Sequence, residues 1–285
     1  MSRFDTRVAI VTGAGRGLGR AYAEYLASRG ARVVVNNRRR VVDDEGFATA
    51  EQVVRAIRTA GGEAVASFDD VAEPESGERM VALALDTWGR LDILVNNAGV
   101  DQHRAFHNLS VAEFRRIFDI NFYGSVYVAH AAFAHMRQAG YGRIVMSTSS
   151  AGLHGMHGLS AYAASKAALI GLTKTLALEG KARGVLVNAV APYATTQMTE
   201  SHGDAELLRE MRPELVAPLV AYLVSERSRL NGEVIVGGKG WFRRAASVEG
   251  RIARDLDRIL DMTGAREFED AMAAFNDFVA ASARH

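Results

Sequence analysis

Seven short runs rich in valine and isoleucine recur along this chain: Val8–Val11, Val33–Val35, Ala64–Ser67, Ile93–Val95, Arg143–Met146, Leu186–Ala189 and Val234–Val236. Each has the length of a strand and little polar alternation, the pattern of strands covered on both faces. Between them lie Arg20–Arg29, Glu51–Ala60, Glu78–Trp88, Val111–Arg137, Ala161–Ala182 and Ala205–Ser225, where apolar residues recur at helical spacing. Strand and helix in repeated alternation means βαβ units, and hence a parallel sheet with helices on both faces. The fold class predicted is α/β, a single Rossmann-like, doubly wound, parallel seven-stranded sheet.

No linker or charge block interrupts the series, so residues 1–240 read as one domain. Residues 241–285 read as a C-terminal helical extension. In it Ile252, Leu256, Ile259 and Leu260, and again Phe268, Met272, Phe275 and Phe278, fall at helical spacing around a break at Thr263-Gly264. Such a tail must cover something apolar, on its own domain or on a neighbouring subunit.

The net charge of +1, with basic residues scattered, argues against a nucleic-acid partner. The absence of cysteine excludes disulfide and thiolate chemistry and suits a reducing compartment. The N-terminus enters a strand within a few residues, no apolar run approaches the roughly 20 residues that span a bilayer, and the last residues are not Ser-Lys-Leu. A cytoplasmic protein with no membrane partner is expected. The histidines show no metal-ligand spacing, so no metal site is expected.

After the first strand comes Thr12-Gly13-Ala14-Gly15-Arg16-Gly17-Leu18-Gly19, followed by a helix. Glycines here let the backbone turn tightly and approach a pyrophosphate, and the helix N-terminus supplies free N–H groups. The spacing departs from G-x-G-x-x-G because Leu18 holds the third glycine's place. After the second strand, where a carboxylate would accept ribose hydroxyls, the chain reads Asn36-Asn37-Arg38-Arg39-Arg40. Arg38, with Arg16, can grip a 2′-phosphate, so NADP is the expected cofactor and NAD the alternative. The other reading of the arginines is a solvated turn.

Ser149 stands thirteen residues before Tyr162, and Lys166 four after it. Tyrosine and lysine at i, i+4 share a helix face, so a cation beside the phenol can bring it toward general-base range. Ser149 and Asn96-Asn97-Ala98-Gly99 both follow strands, where α/β sheets place their ligand crevice.

The TGxxxGxG loop, the NNAG segment, the Ser149, Tyr162 and Lys166 spacing and Asn121 in the middle helix together resemble the short-chain dehydrogenase/reductase family over almost the whole chain. The resemblance implies an NAD(P)-dependent oxidoreductase acting on a secondary alcohol or ketone. Tyr162 is then the acid/base, Lys166 binds the nicotinamide ribose and lowers the tyrosine pKa, and Ser149 orients the carbonyl. Asn121 holds a water that relays protons past Lys166. Gly13, Gly15, Arg16, Gly17, Leu18, Gly19, Asn37, Arg38, Asn97, Ala98, Gly99 and Pro192 would hold the dinucleotide, with Asp70 and Val71 near the adenine. A homotetramer, or a dimer, is implied as well.

Further segments, including Tyr141–Met146, Arg212–Val220 and Ala191-Pro192-Tyr193-Ala194-Thr195-Thr196-Gln197-Met198, are similar to a narrower group. These are the (3R)-hydroxyacyl-CoA dehydrogenase units of peroxisomal multifunctional enzymes of type 2, also described as 17β-hydroxysteroid dehydrogenases. This resemblance implies a 3-hydroxyacyl-CoA or 3-ketoacyl-CoA substrate and gives Thr196 to the nicotinamide carboxamide. That group carries Asn-Asp where this chain has Asn36-Asn37, so its NAD preference does not transfer. His154, Met156 and His157 are candidates for the substrate wall or merely shape a turn. The alternatives are a dehydrogenase of steroids or other alicyclic ketones, and a catalytically silent dinucleotide sensor.

Overall fold

The structure, a computed structural model, describes residues 3–38, 48–195, 209–250 and 261–282. The chain divides into two compact units, Met1–Arg244 and Ala245–His285.

In the first unit β1 (Val8–Val11), β2 (Arg32–Asn36), β3 (Glu63–Ser67), β4 (Ile93–Asn96), β5 (Gly142–Ser147), β6 (Val185–Tyr193), β7 (Val234–Gly238) and β8 (Trp241–Ala245) form one sheet. Its order is β3-β2-β1-β4-β5-β6-β7-β8. Every residue of β1, β4 and β5 is buried, which is why these runs lack polar alternation. The strand order reverses between β1 and β4, leaving a crevice beyond their C-terminal ends.

The helices are α1 (Gly17–Ser28), α2 (Thr49–Thr59), α3 (Ser76–Trp88), α4 (Val111–Phe118), α5 (Gly124–Ala139), α6 (Ser150–His154), α7 (Ser160–Lys181) and α8 (Ala217–Leu223). Backbone contact between α3 and α5 is close at Gly77, where a Cβ would fall 2.2 Å from the Tyr127 carbonyl oxygen. No helix among the described residues is long and apolar enough to cross a membrane.

Three expectations are corrected. The sheet has eight strands rather than seven. Lys239 and Gly240 both adopt positive φ, 54° and 78°, the geometry of a two-residue type I′ hairpin, so the chain returns as β8 antiparallel to β7. β8 takes in residues Trp241–Ala245. The segment Val111–Arg137 is not one regular helix, because Asp119–Tyr123 forms a π-turn between α4 and α5. Ala205–Ser225 is also not continuous. Residues up to 208 lie outside the described ones, and beyond them a short 3₁₀ turn at Pro213–Leu215 precedes α8, with proline in the first turn of each.

In the second unit Glu249 and Arg266 form an antiparallel bridge, and α9 (Ala271–Ser282) leaves Met272, Phe275 and Phe278 exposed. Ile252, Leu256, Ile259 and Leu260 lie outside the described residues.

Candidate active site

A cleft of about 390 Å³ opens at the strand C-termini where the order reverses. At one end it is lined by Gly13, Arg16, Gly17, Leu18, Asn37 and Arg38, and at the other by Ser147, Thr148, Tyr162, Lys166 and Pro192. Asn97, Ala98 and Gly99 lie between, and Val71 is also on the wall.

The glycine loop is held close to β4. Gly13 has φ +63°, and a Cβ there would approach Ala98 Cα to 2.8 Å. Thr12 Oγ1 accepts from the backbone N–H of Asn97 at 2.9 Å and of Ala98 at 3.0 Å, while Asn97 Nδ2 donates to the Thr12 carbonyl at 3.0 Å. No side chain caps α1, and its first turn carries no acidic residue. A backbone that only glycine permits, beside an uncapped helix N-terminus with Arg16 at the N-cap, fits a dinucleotide's pyrophosphate.

Two loop glycines serve packing. A Cβ on Gly15 would meet Thr49 Oγ1 at 2.6 Å and Asn37 at 2.8 Å, and one on Gly19 would fall 2.4 Å from the Gly13 carbonyl oxygen. Asp70 accepts from Arg38 Nη1 at 2.9 Å, and Asp69 takes a place on the cleft wall beside Val71.

At the other end Tyr162 and Lys166 share the first turns of α7. Lys166 is 4% exposed, and Nζ donates to the Ser147 carbonyl at 2.7 Å. Burial lowers its pKa to about 8. Nζ lies 5.7 Å from the Tyr162 ring centre. The phenol nevertheless sits above its ordinary range, because burial outweighs the hydrogen bond with Ser149 that lowers it, and the Asp101 carboxylate raises it further. Desolvation is the largest of these influences on the phenol. Ser149 also caps α6, accepting from the Ala151 N–H at 3.1 Å.

Asn121 is fully buried in the π-turn. Its Oδ1 accepts from the Val100 N–H at 2.8 Å, and Nδ2 donates to the Val100 carbonyl at 2.9 Å and to Ser165 Oγ at 3.1 Å. Both amide protons are used, and the side chain holds the Gly99–Val100 turn. Ser165 Oγ in turn donates to the Tyr162 carbonyl, and Thr148 Oγ1 to that of Lys166, both at 2.7 Å. These clamps fix the helix that carries Tyr162 and Lys166.

His154, Met156 and His157 are exposed and are absent from the cleft wall. Thr196 lies outside the described residues. Sequence reading missed Asp101, Arg116, Ile120, Ser147 and Thr148 on the wall; only their nearness to NNAG, Asn121 and Ser149 along the chain could have signalled them.

A model of the short chain dehydrogenase family matches residues 7–207. The chain belongs to that family. This short-chain dehydrogenase is 44% identical over 244 residues to the mouse peroxisomal multifunctional enzyme type 2, a match covering 84% of the chain and 32% of the mouse protein. It thus spans about a third of that relative's length. It is 36% identical over 233 residues to a 3-oxoacyl-[acyl-carrier-protein] reductase of a Synechocystis species, covering 79% of the chain and 92% of the relative. A crystal structure of a short chain dehydrogenase from Mycobacterium avium is similar at a TM-score of 0.80 and 37% identity, covering 98% of this chain and 96% of that one. The chain is an oxidoreductase using a nicotinamide dinucleotide, NAD(P).

Proposed function

We propose that this enzyme interconverts a 3-hydroxyacyl-CoA and its 3-ketoacyl-CoA, with NADP(H) as the cofactor and NAD(H) as the alternative. The observation that carries the reading is the cleft itself, with a glycine cradle and arginines at one end and Tyr162, Lys166 and the neighbouring Ser149 at the other. The names of the multifunctional and 3-oxoacyl relatives support the acyl thioester.

Bound in this cleft, the nicotinamide supplies or accepts the hydride. Gly13, Gly17 and the N-terminus of α1 would hold the pyrophosphate, and Asn97, Ala98, Gly99 and Pro192 would hold the nicotinamide half. In the reducing direction Ser149 would donate a hydrogen bond to the ketone oxygen, and Tyr162 would pass its proton to that oxygen. The Lys166 cation stabilises the phenolate left behind. A phenol held protonated by burial suits the acid role in ketone reduction. Asn121, Ser165 and Thr148 are positioning residues, acting through the backbone of Val100, Tyr162 and Lys166.

We also propose a cytoplasmic homotetramer or dimer. A ladder of rings, Phe114, Phe118, Phe122, Tyr123 and Tyr127, runs along α4 and α5 with Tyr123 exposed, and supports self-association. Light scattering of a monomer at micromolar concentration would contradict it.

The deciding assay is turnover with both reduced cofactors against acetoacetyl-CoA, longer 3-ketoacyl-CoA esters and keto-steroids. Rates on the thioesters well above those on steroids are expected. Turnover of steroids alone overturns the substrate assignment.

A further inference from the structure

The cofactor end of the cleft carries an arginine that is already engaged. Arg38 lies two residues beyond β2 and Asp70 three beyond β3, and the two strands pair in register from Arg32–Glu63 to Asn36–Ser67. The Asn37 N–H donates to the Ser67 carbonyl at 3.0 Å, and Asn36 Nδ2 reaches Ser67 Oγ and the Asp69 carbonyl, each at 3.0 Å. The loops are thereby tied together, and Arg38 Nη1 meets Asp70 Oδ2 at 2.9 Å with both side chains less than a third exposed. Asp70 Oδ1 accepts from the Ala72 N–H at 3.0 Å, so the carboxylate is held at both oxygens. Its neighbour Asp69 is occupied elsewhere, by Arg79 Nε at 2.6 Å and Ser67 Oγ at 2.8 Å.

We propose that Asp70 is a specificity-determining residue that acts through Arg38, holding the guanidinium at the cleft while cancelling much of its charge, so that selection of a 2′-phosphorylated dinucleotide is tempered. This rests on the dinucleotide reading above. An isolated guanidinium presents its full charge and all five N–H groups to a phosphate. Paired with Asp70 it must share them, and the carboxylate repels the phosphate directly. A dinucleotide with free 2′- and 3′-hydroxyls has no such charge to feel. The carboxylate therefore weakens the phosphorylated cofactor more than the other, narrowing the ratio of their affinities. The preference expected from one charged hydrogen bond of Arg38 alone, roughly tenfold to about 150-fold, falls toward its lower end.

The test is fluorescence titration of the full chain with NADPH and with NADH, for the wild type and for Asp70→Asn, at ionic strengths of about 0.05 and 0.2 M. Asp70→Asn should raise the affinity for NADPH relative to that for NADH about fivefold, with the gain in the ratio shrinking at the higher salt. An unchanged ratio of the two affinities, or an equal loss for both cofactors, overturns the proposal. The change in ratio is read between variant and wild type. A wild type that prefers NADH therefore refutes the cofactor assignment under the proposed function, and the shift still decides the role of Asp70. Thermal unfolding of each variant establishes that it is folded, and Asp70→Ser repeats the measurement should the introduced amide perturb the turn.

Discussion

Replacing Lys166 by methionine should abolish turnover yet leave the protein at least as stable at neutral pH. The ammonium is enclosed, 4% exposed, with the Ser147 carbonyl as its acceptor. Desolvation moves its pKa from an ordinary 10.5 to about 8, and at 1.36 kcal/mol per tenfold that preference for the neutral form is worth about 3 kcal/mol. Methionine has similar length and carries no charge. It forfeits the hydrogen bond and leaves the Ser147 carbonyl unpartnered, a loss of about 1–3 kcal/mol, so the net gain at pH 7 is about 0–2 kcal/mol. The pH dependence is the sharper test. Below pH 8 the lysine is charged in both folded and unfolded chains, and the wild type bears the full burial cost. Between pH 8 and 10.5 the folded chain loses the proton while the unfolded chain keeps it, so wild-type stability rises. The advantage of the methionine variant should therefore shrink by about 2 kcal/mol between pH 7 and 9.5. Urea unfolding of both proteins across that range measures it, and other titrating groups cancel in the difference. A gap that stays constant or widens with pH would refute the argument that Lys166 is held against its solvation.

Tyr162→Phe removes the transferable proton and should lower kcat by at least about 10²–10⁴-fold while cofactor titration stays within a few-fold; near-normal turnover would sink the assignment. Asn121→Ala strips both partners from the Val100 backbone and should cost about 2–4 kcal/mol in urea unfolding, with activity falling further than stability explains; a neutral variant would show that the turn holds itself. Gly77→Ala drives a methyl to 2.2 Å from the Tyr127 carbonyl, so α3 and α5 must separate, and a loss of about 1–3 kcal/mol is expected in the same measurement; an unchanged midpoint would mean that the helices part freely.

What the amino-acid order determines alone is what short-range physics encodes. Uninterrupted runs such as Ile93–Val95 announce doubly covered strands because burial on both faces leaves no position for a polar residue. Tyr162 and Lys166 meet because four residues bring a helix around to the same face. The glycine loop is legible because its backbone excludes side chains. Contacts between distant segments leave no such imprint. The π-turn at Asp119–Tyr123 interrupts a segment of helical spacing, and Asn121 holds Val100 only because that turn aims it there. The fate of Arg38 was decided by a carboxylate 32 residues away, brought opposite it by the parallel register of β2 and β3. Whether the phenol is held above or below its ordinary range depended on how completely the fold dries the site. Periodicity records which face of an element is buried, whereas a charge's partner and its loss of water are set by loop geometry that only the assembled sheet provides.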